Sequence, residues 1–214
     1  RVLHVKYPRR PVDSPKISLT ILLPRSKLMP GYSLQVRKTP KPGHFEEVLQ
    51  GQLEAFKASN QNGAVAFTLS GDTRQVVITN FIYASIQDLE SHHDRVFGNP
   101  ERLKAFDARG VDCEDIKFLT ARIVAPPIQS GKSGRPAEVK FARRNLITAK
   151  IGELPNLIEV LKEFREAFET STPSISVPLG GNTHTVRTLT TVSSLEQLEA
   201  WQDELTSNRM LSFR

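Results

Sequence analysis

The sequence predicts an α+β protein in which one mixed unit of strands and helices occurs twice in tandem. Three observations predict it. Ser85-Ile86-Gln87-Asp88-Leu89-Glu90 returns as Ser194-Leu195-Glu196-Gln197-Leu198-Glu199. Phe45, Val48, Leu49 and Phe56 fall on Leu157, Val160, Leu161 and Phe168 at one constant offset. Val65, Phe67 and Leu69 followed by Gly71 fall on Ile175, Val177 and Leu179 followed by Gly181. A repeat this long is a whole folding unit, because shorter solenoid modules come in threes or more. The 214 residues suffice for two domains of about 100.

Residues 1–31 are a proline-rich extension ending at Pro30-Gly31. Residues 17–23 alternate as a strand with one buried face should. They have no counterpart between the repeats, so they are expected to cover a sheet edge. The first repeat spans residues 32–125. Residues 32–37 alternate Leu34 and Val36 with polar neighbours, a strand. Pro40-Lys41-Pro42-Gly43 is a turn, and Phe45, Val48, Leu49, Leu53 and Phe56 then follow at helical spacing. Asn60-Gln61-Asn62-Gly63 stops that helix. Residues 64–69 and 75–83 read as strands about a turn at Ser70-Gly71-Asp72. Ser85 opens a second helix, with Asp88 in its first turn. A short helix follows Gly98-Asn99-Pro100, and residues 115–124 form the fourth strand.

Residues 126–144 read as a basic linker, and residues 145–214 as the second repeat. Its strands are expected at 145–151, 174–179 and 184–192, and its helices at 155–169 and 194–204. Pro155 suits a first helical turn, and Ser194 with Gln197 has capping-box spacing. The chain ends before a fourth strand of this copy. Strand–helix–strand–strand–helix–strand builds an antiparallel sheet with both helices on one face, a ferredoxin-like layer. The open face would expose an apolar patch, so two such layers are expected to pack face to face as an α+β barrel within one chain.

Tyr32-Ser33-Leu34-Gln35-Val36-Arg37 leading into Pro42-Gly43, then Ser85 through Glu90, then Asn99-Pro100-Glu101, resemble the dimeric α+β barrel superfamily and, within it, the NIPSNAP-like branch. The resemblance covers residues 32–124 and, more loosely, 145–213, where Leu154-Pro155 stands in place of Pro42-Gly43. It implies one of several activities: cofactor-independent monooxygenation of aromatic substrates, isomerisation, haem-dependent chemistry, ligand-binding regulation, or none. A fold does not choose among these.

Composition narrows the classes. The chain is 38% hydrophobic and 24% charged, that of an ordinary globular protein. No apolar run approaches the roughly 18–20 residues that cross a bilayer, so no membrane insertion is expected. A chain opening on Arg1 instead of Met reads as trimmed or processed. Its basic, proline-rich start would fit the remnant of a targeting region, without an apolar signal core. Cys113 is the single cysteine. That rules out an intrachain disulfide and a cysteine-rich zinc site, and fits the cytoplasm or another reducing compartment. The net charge of +6 is scattered. Arg135, Lys140, Arg143 and Arg144 have only Phe141 as an interleaved aromatic, so a solvated basic linker is expected rather than a nucleic-acid surface. Gly131-Lys132-Ser133 lacks the first glycine of a phosphate-binding loop.

The candidate site residues are few. His44, at the mouth of the first helix, would sit neutral beside a bound carboxylate or phenolate. Tyr83 would offer a hydroxyl if it faced the barrel cavity. These two are the candidate catalytic groups. Arg37 could clamp an anion, with Tyr32 and His93 as further substrate contacts; of the adjacent His92 and His93, His93 is expected to be the more inward. No metal or cofactor is expected. The leading expectation is a small-molecule-binding barrel, acting as a cofactor-independent monooxygenase or related enzyme on a small apolar or aromatic substrate. Two others stay open: a non-catalytic interaction or scaffold protein of NIPSNAP-like fold, and a basic nucleic-acid-associated protein. A homo-oligomer is compatible with each.

Overall fold

A computed structural model describes residues 31–69, 74–126, 139–169, 171–182 and 184–206. The strand expected at 17–23, the turn at Ser70-Gly71-Asp72, the Gly131-Lys132-Ser133 segment and the residues after 206 lie outside the described residues. The elements run β1 (Tyr32–Pro40), α1 (Phe45–Ser59), β2 (Gly63–Phe67), β3 (Val77–Tyr83), α2 (Ile86–Phe97), α3 (Pro100–Ala108) and β4 (Cys113–Ala125), then β5 (Phe141–Thr148), α4 (Leu154–Glu166), β6 (Ser174–Pro178), β7 (Thr185–Val192) and α5 (Leu195–Thr206). Among the described residues, no helix is long and apolar enough to cross a membrane.

The strands make one antiparallel sheet in the order β2-β3-β1-β4-β6-β7-β5. Two separate layers were expected from the sequence. Instead β4 joins the halves edge to edge, with Ala121 opposite Pro178 and Ile123 opposite Ser176. The join satisfies backbone groups that two free edges would leave open. The sheet also curls. The Arg144 Nη1 on β5 donates to the Gln35 Oε1 on β1 at 2.9 Å. Those strands are third and seventh in the sheet. Four steps of roughly 4.8 Å would separate them by about 19 Å if the sheet were flat.

Side-chain alternation sorts the two faces. On β1, Leu34 and Val36 pack with Tyr83 and Leu89 beneath α2, which turns Ser33, Gln35 and Arg37 to the inner, concave face. On β7, Val186 packs with Ile175, Ala125 and Leu161 beneath α4, which turns Arg187 and Leu189 inward. Ile175, Val186, Val192 and Val77 are fully buried, at 0% exposure. Burial of each such side chain stabilises the fold by about 1.5–3 kcal/mol.

Helix ends follow their local chemistry. α1 stops at Asn60, in the left-handed region at φ 50°, a conformation asparagine tolerates. Ser85 accepts from the Asp88 N–H at 3.1 Å while the Asp88 carboxylate accepts from the Ser85 N–H at 3.1 Å, closing a capping box. Before α1, the His44 N–H donates to the Lys41 carbonyl at 3.0 Å, and before α4 the Glu153 N–H donates to the Lys150 carbonyl at 3.0 Å. Gly43 and Gly152 hold these two turns at φ 85° and 86°, where a side chain would be strained. The turn before α4 is therefore Lys150–Glu153, and Gly152, not Leu154-Pro155, stands where Gly43 does.

α1 buries Val48, Leu49, Gln52 and Phe56, and Gln52 Nε2 donates to Thr79 Oγ1 at 2.9 Å. In the second half Leu161 is buried on α4, and Phe168, which lies beyond the end of a helix expected to run to residue 169, is buried by stacking on Trp201 with centroids 5.1 Å apart. Because Gly43 falls on Gly152, Val48 falls on Leu157 and Gln52 on Leu161 along the helices, three residues from the match read in the sequence, and Val160 is 45% exposed. Lys38 is buried on the helix side of β1. Its ammonium reaches the Arg109 carbonyl at the end of α3 (3.5 Å) and lies 5.3 Å from the Phe106 ring centroid. Lysine there complements the negative end of the helix.

Candidate functional site: the inner face of the curled sheet

β5 begins at Phe141, four residues before the strand start read from the sequence, so Arg143 and Arg144 are strand residues and not linker. Being adjacent, they point to opposite faces. Arg143 turns to the helix side, where its guanidinium sits 5.1 Å from the Trp201 ring centroid and bonds Gln202. Arg144 turns inward. On the neighbouring β7, Arg187 lies opposite Leu146, and Arg144 lies opposite Leu189. The two inward arginines are thus diagonal neighbours, roughly 7–8 Å apart at their backbones.

The inner face is polar at its centre. Gln35 Nε2 donates to Asn80 Oδ1 at 2.8 Å, and Gln35 Oε1 accepts from Arg144. Asn80, Gln35 and Arg144 therefore form a chain across β3, β1 and β5. The Gln35 amide is fixed by it, oxygen toward the cation and nitrogen toward Asn80. Gly63 lets β2 approach: a Cβ there would lie 1.8 Å from the Asn80 carbonyl oxygen. Around the polar chain, alternation places Ile78, Ile82, Leu119, Ala121, Leu146 and Leu189 on the same face.

Arg187 is partly buried and, among the described residues, no carboxylate pairs with it. Burial first, then the charge of Arg144, lower its pKa from the ordinary guanidinium value. It stays a cation, since arginine does not deprotonate in proteins. An anion bound at Arg187 would supply the counter-charge that no described carboxylate gives it.

The structure disperses the residues singled out from the sequence. Arg37 lies on the inner face, two residues along β1 from Gln35. Tyr32 and Tyr83 lie on the helix side, where Tyr32 packs against the cluster of Leu34, Val36, Tyr83 and Leu89. Tyr83 thus faces α2 and not the cavity. Its hydroxyl is buried without a hydrogen-bond partner among the described residues, and burial raises its pKa. His44 precedes α1 at the surface, with Nδ1 3.2 Å from Asp112 Oδ1. Of the histidine pair, His92 is the inward one, correcting the expectation for His93. The buried stripe of α2 runs through Leu89 and His92, three apart, whereas the exposed His93 ring sits 4.7 Å from Phe97. The His92 ring lies 5.1 Å from Phe81 and 5.5 Å from Tyr83. Burial first, then Arg95, His93 and Arg102, lower its pKa. Among the described residues, no three His, Cys, Asp or Glu side chains gather where they could hold a metal ion.

Gln35, Asn80, Arg144 and Arg187 escaped the sequence reading. One signal could have found two of them. The offset that carries Ser85 to Ser194 also carries Gln35 to Arg144 and Lys41 to Lys150. Extending it upstream places Arg144 in a strand at the position of Gln35.

No protein-family model and no curated protein matches the chain. Solved structures do. A candidate monooxygenase of Fusobacterium nucleatum is similar at TM-score 0.59 and 12% identity, over 86% of this chain and 84% of that one. An anthrone oxidase-like protein is similar at TM-score 0.62 and 12% identity, over 86% and 84%. A candidate monooxygenase of Lactobacillus acidophilus is similar at TM-score 0.51 and 9% identity, over 86% and 85%. The chain has an α+β barrel fold. At these identities the likeness carries the fold and nothing finer.

Proposed function

We propose that this chain is a small-molecule-binding barrel that acts as a cofactor-independent monooxygenase on a small, largely apolar aromatic compound, with the inner face as its substrate surface. The observation that carries the reading is the fixed polar chain Asn80–Gln35–Arg144 on a concave face that it shares with the aliphatic side chains of Ile78, Ile82, Leu119, Leu146 and Leu189. A few oriented polar groups in an apolar concavity are how proteins hold small ligands. Fold neighbours named as candidate monooxygenases and as anthrone oxidase-like support the choice of chemistry.

The reaction balances without a cofactor when the substrate has an acidic ring CH2. Loss of one proton gives a carbanion, whose carbon bonds to O2 and, on protonation, becomes a hydroperoxide. Loss of water then leaves a carbonyl. One oxygen atom enters the substrate and the other leaves as water, so O2 takes all four electrons from the CH2. The Gln35 amide and the Arg144 guanidinium would orient the substrate's oxygen, and Arg37 would meet its far end.

We further propose that the two halves are copies of one ferredoxin-like unit within the NIPSNAP-like branch. The strand orders β2-β3-β1 and β6-β7-β5 and the paired glycine turns at Gly43 and Gly152 support the duplication. A second reading, a binding barrel without chemistry, is favoured by one feature: the cross-strand neighbours of the arginine pair, Leu146, Ser176 and Leu189, include no base. Oxygen uptake with anthrone as substrate decides between them. Stoichiometric uptake with formation of the quinone supports the enzyme. No uptake above the buffer rate rejects it.

A further inference from the structure

The Arg144–Arg187 pair stands on strands of the second half, yet its hydrogen-bonded partner Gln35 and the next amide Asn80 belong to the first. Four features of the pair point the same way. Both side chains share the concave face by strand alternation. Both are partly withdrawn from water. No carboxylate among the described residues neutralises Arg187. The nearest cross-strand residues, Leu146, Ser176 and Leu189, carry no charge. A partly buried Arg187 with a cationic neighbour and no carboxylate of its own among the described residues is unfavourably placed, so its position is suited to a ligand that brings the negative charge itself.

We infer that the inner face binds its ligand as an anion, through a planar oxyanion, either a ring carboxylate or a phenolate, held by Arg187 with Arg144. This rests on the reading of the inner face as a small-molecule surface. The planar guanidinium fork matches two coplanar oxygens. Gln35 accepts from Arg144 and so sets the direction of that fork. The aliphatic residues Leu146 and Leu189, each opposite one arginine of the pair on the neighbouring strand, cover the ring. Neutral ligands of the same shape gain the apolar contact and lose the charge-assisted hydrogen bonds.

Benzoate and benzamide separate those contributions, because they share a ring and differ in charge. Calorimetric titration of the full chain at low salt is expected to give benzoate at least tenfold tighter binding than benzamide. Arg187→Met is expected to weaken benzoate at least tenfold and leave benzamide within about twofold. Arg187→Gln, with a smaller change in shape, serves as the second variant, and a cooperative melt establishes that each is folded. Lys104→Met, on exposed α3, should leave both ligands unchanged. Equal binding of benzoate and benzamide overturns the inference, as does unchanged benzoate affinity in folded Arg187→Met, or no benzoate binding to the wild-type protein. Absence of oxygen uptake with benzoate discrimination intact would reject the enzyme and keep the anion site. Anthrone oxidation unaffected by Arg187→Met would do the reverse.

Discussion

On β7, Val186 and Arg187 are consecutive, yet they live in different media. Val186 is sealed beneath α4 with Ile175 and Leu161. Arg187 faces a concavity in which Arg144 is its charged neighbour. The same split runs along β1, where Val36 joins the core under α2 and Gln35 bonds across the curl to β5. One sheet therefore separates two tasks by the two-residue period of its strands. The helix-facing side supplies stability through burial, and the inner side holds polar groups that burial alone would not favour. Substitutions on the two faces should therefore have opposite signatures.

The largest effect is expected on the helix side. Phe168→Ala removes a ring stacked on Trp201 and should cost about 3–5 kcal/mol, read as a lowered midpoint in denaturant unfolding. Ile175→Ala should cost about 2–5 kcal/mol. A loss under about 1 kcal/mol in both would break the contrast. Next comes a pH effect. The His92 pKa is lowered in the fold, so between that value and the unfolded value near 6.5 the unfolded chain binds more protons. Stability is full above about pH 6.5 and falls as pH drops through that window. Thermal melts from pH 7.5 to 5 should show the decline, and His92→Phe should flatten it. A profile identical in wild type and variant would exclude His92 as its source.

Smaller effects sharpen the comparison. Arg187→Met should change unfolding stability by less than about 1 kcal/mol, because a buried charge without a partner gives little to the fold, while ligand binding suffers. Tyr83→Phe should be the mildest. The hydroxyl has no partner among the described residues, so its removal should leave stability unchanged or raise it by up to about 1 kcal/mol. Retained oxygen uptake in that variant would remove Tyr83 from the candidate catalytic groups.

The elements most legible in sequence were those whose apolar spacing fixes a buried face. α1 with Val48, Leu49 and Phe56, and β3 with its run of Val, Ile and Phe, belong to that class. Leu161 is buried on α4, but as the counterpart of Gln52, and Phe168 is buried beyond the end of that helix. Val160 is exposed, because helical apolar spacing recurs every three to four residues and a match slipped by three still looks periodic, whereas Gly43 and Gly152 fix the true register. The start of β5 was hidden by charge. Arg143 and Arg144 read as solvated linker because a strand carrying a charge on each face loses the apolar alternation by which strands are found. The site was illegible for the same reason. Gln35 and Asn80 are ordinary polar residues until the curl, a property of seven strands together, brings β1 against β5. His92 and His93 exchanged roles because a helical stripe stepping by three drifts away from one stepping by four.

The most direct measurement locates the ligand. In a benzoate titration followed by two-dimensional NMR, the side-chain amide signals of Gln35 and Asn80 and the Arg187 Nε–H signal should shift together and saturate at one concentration. Signals from the helix side, such as the Trp201 indole N–H and the Gln52 amide, should stay within the line width. Shifts confined to residues beneath α1 and α2, with the inner-face amides unmoved, would contradict the account.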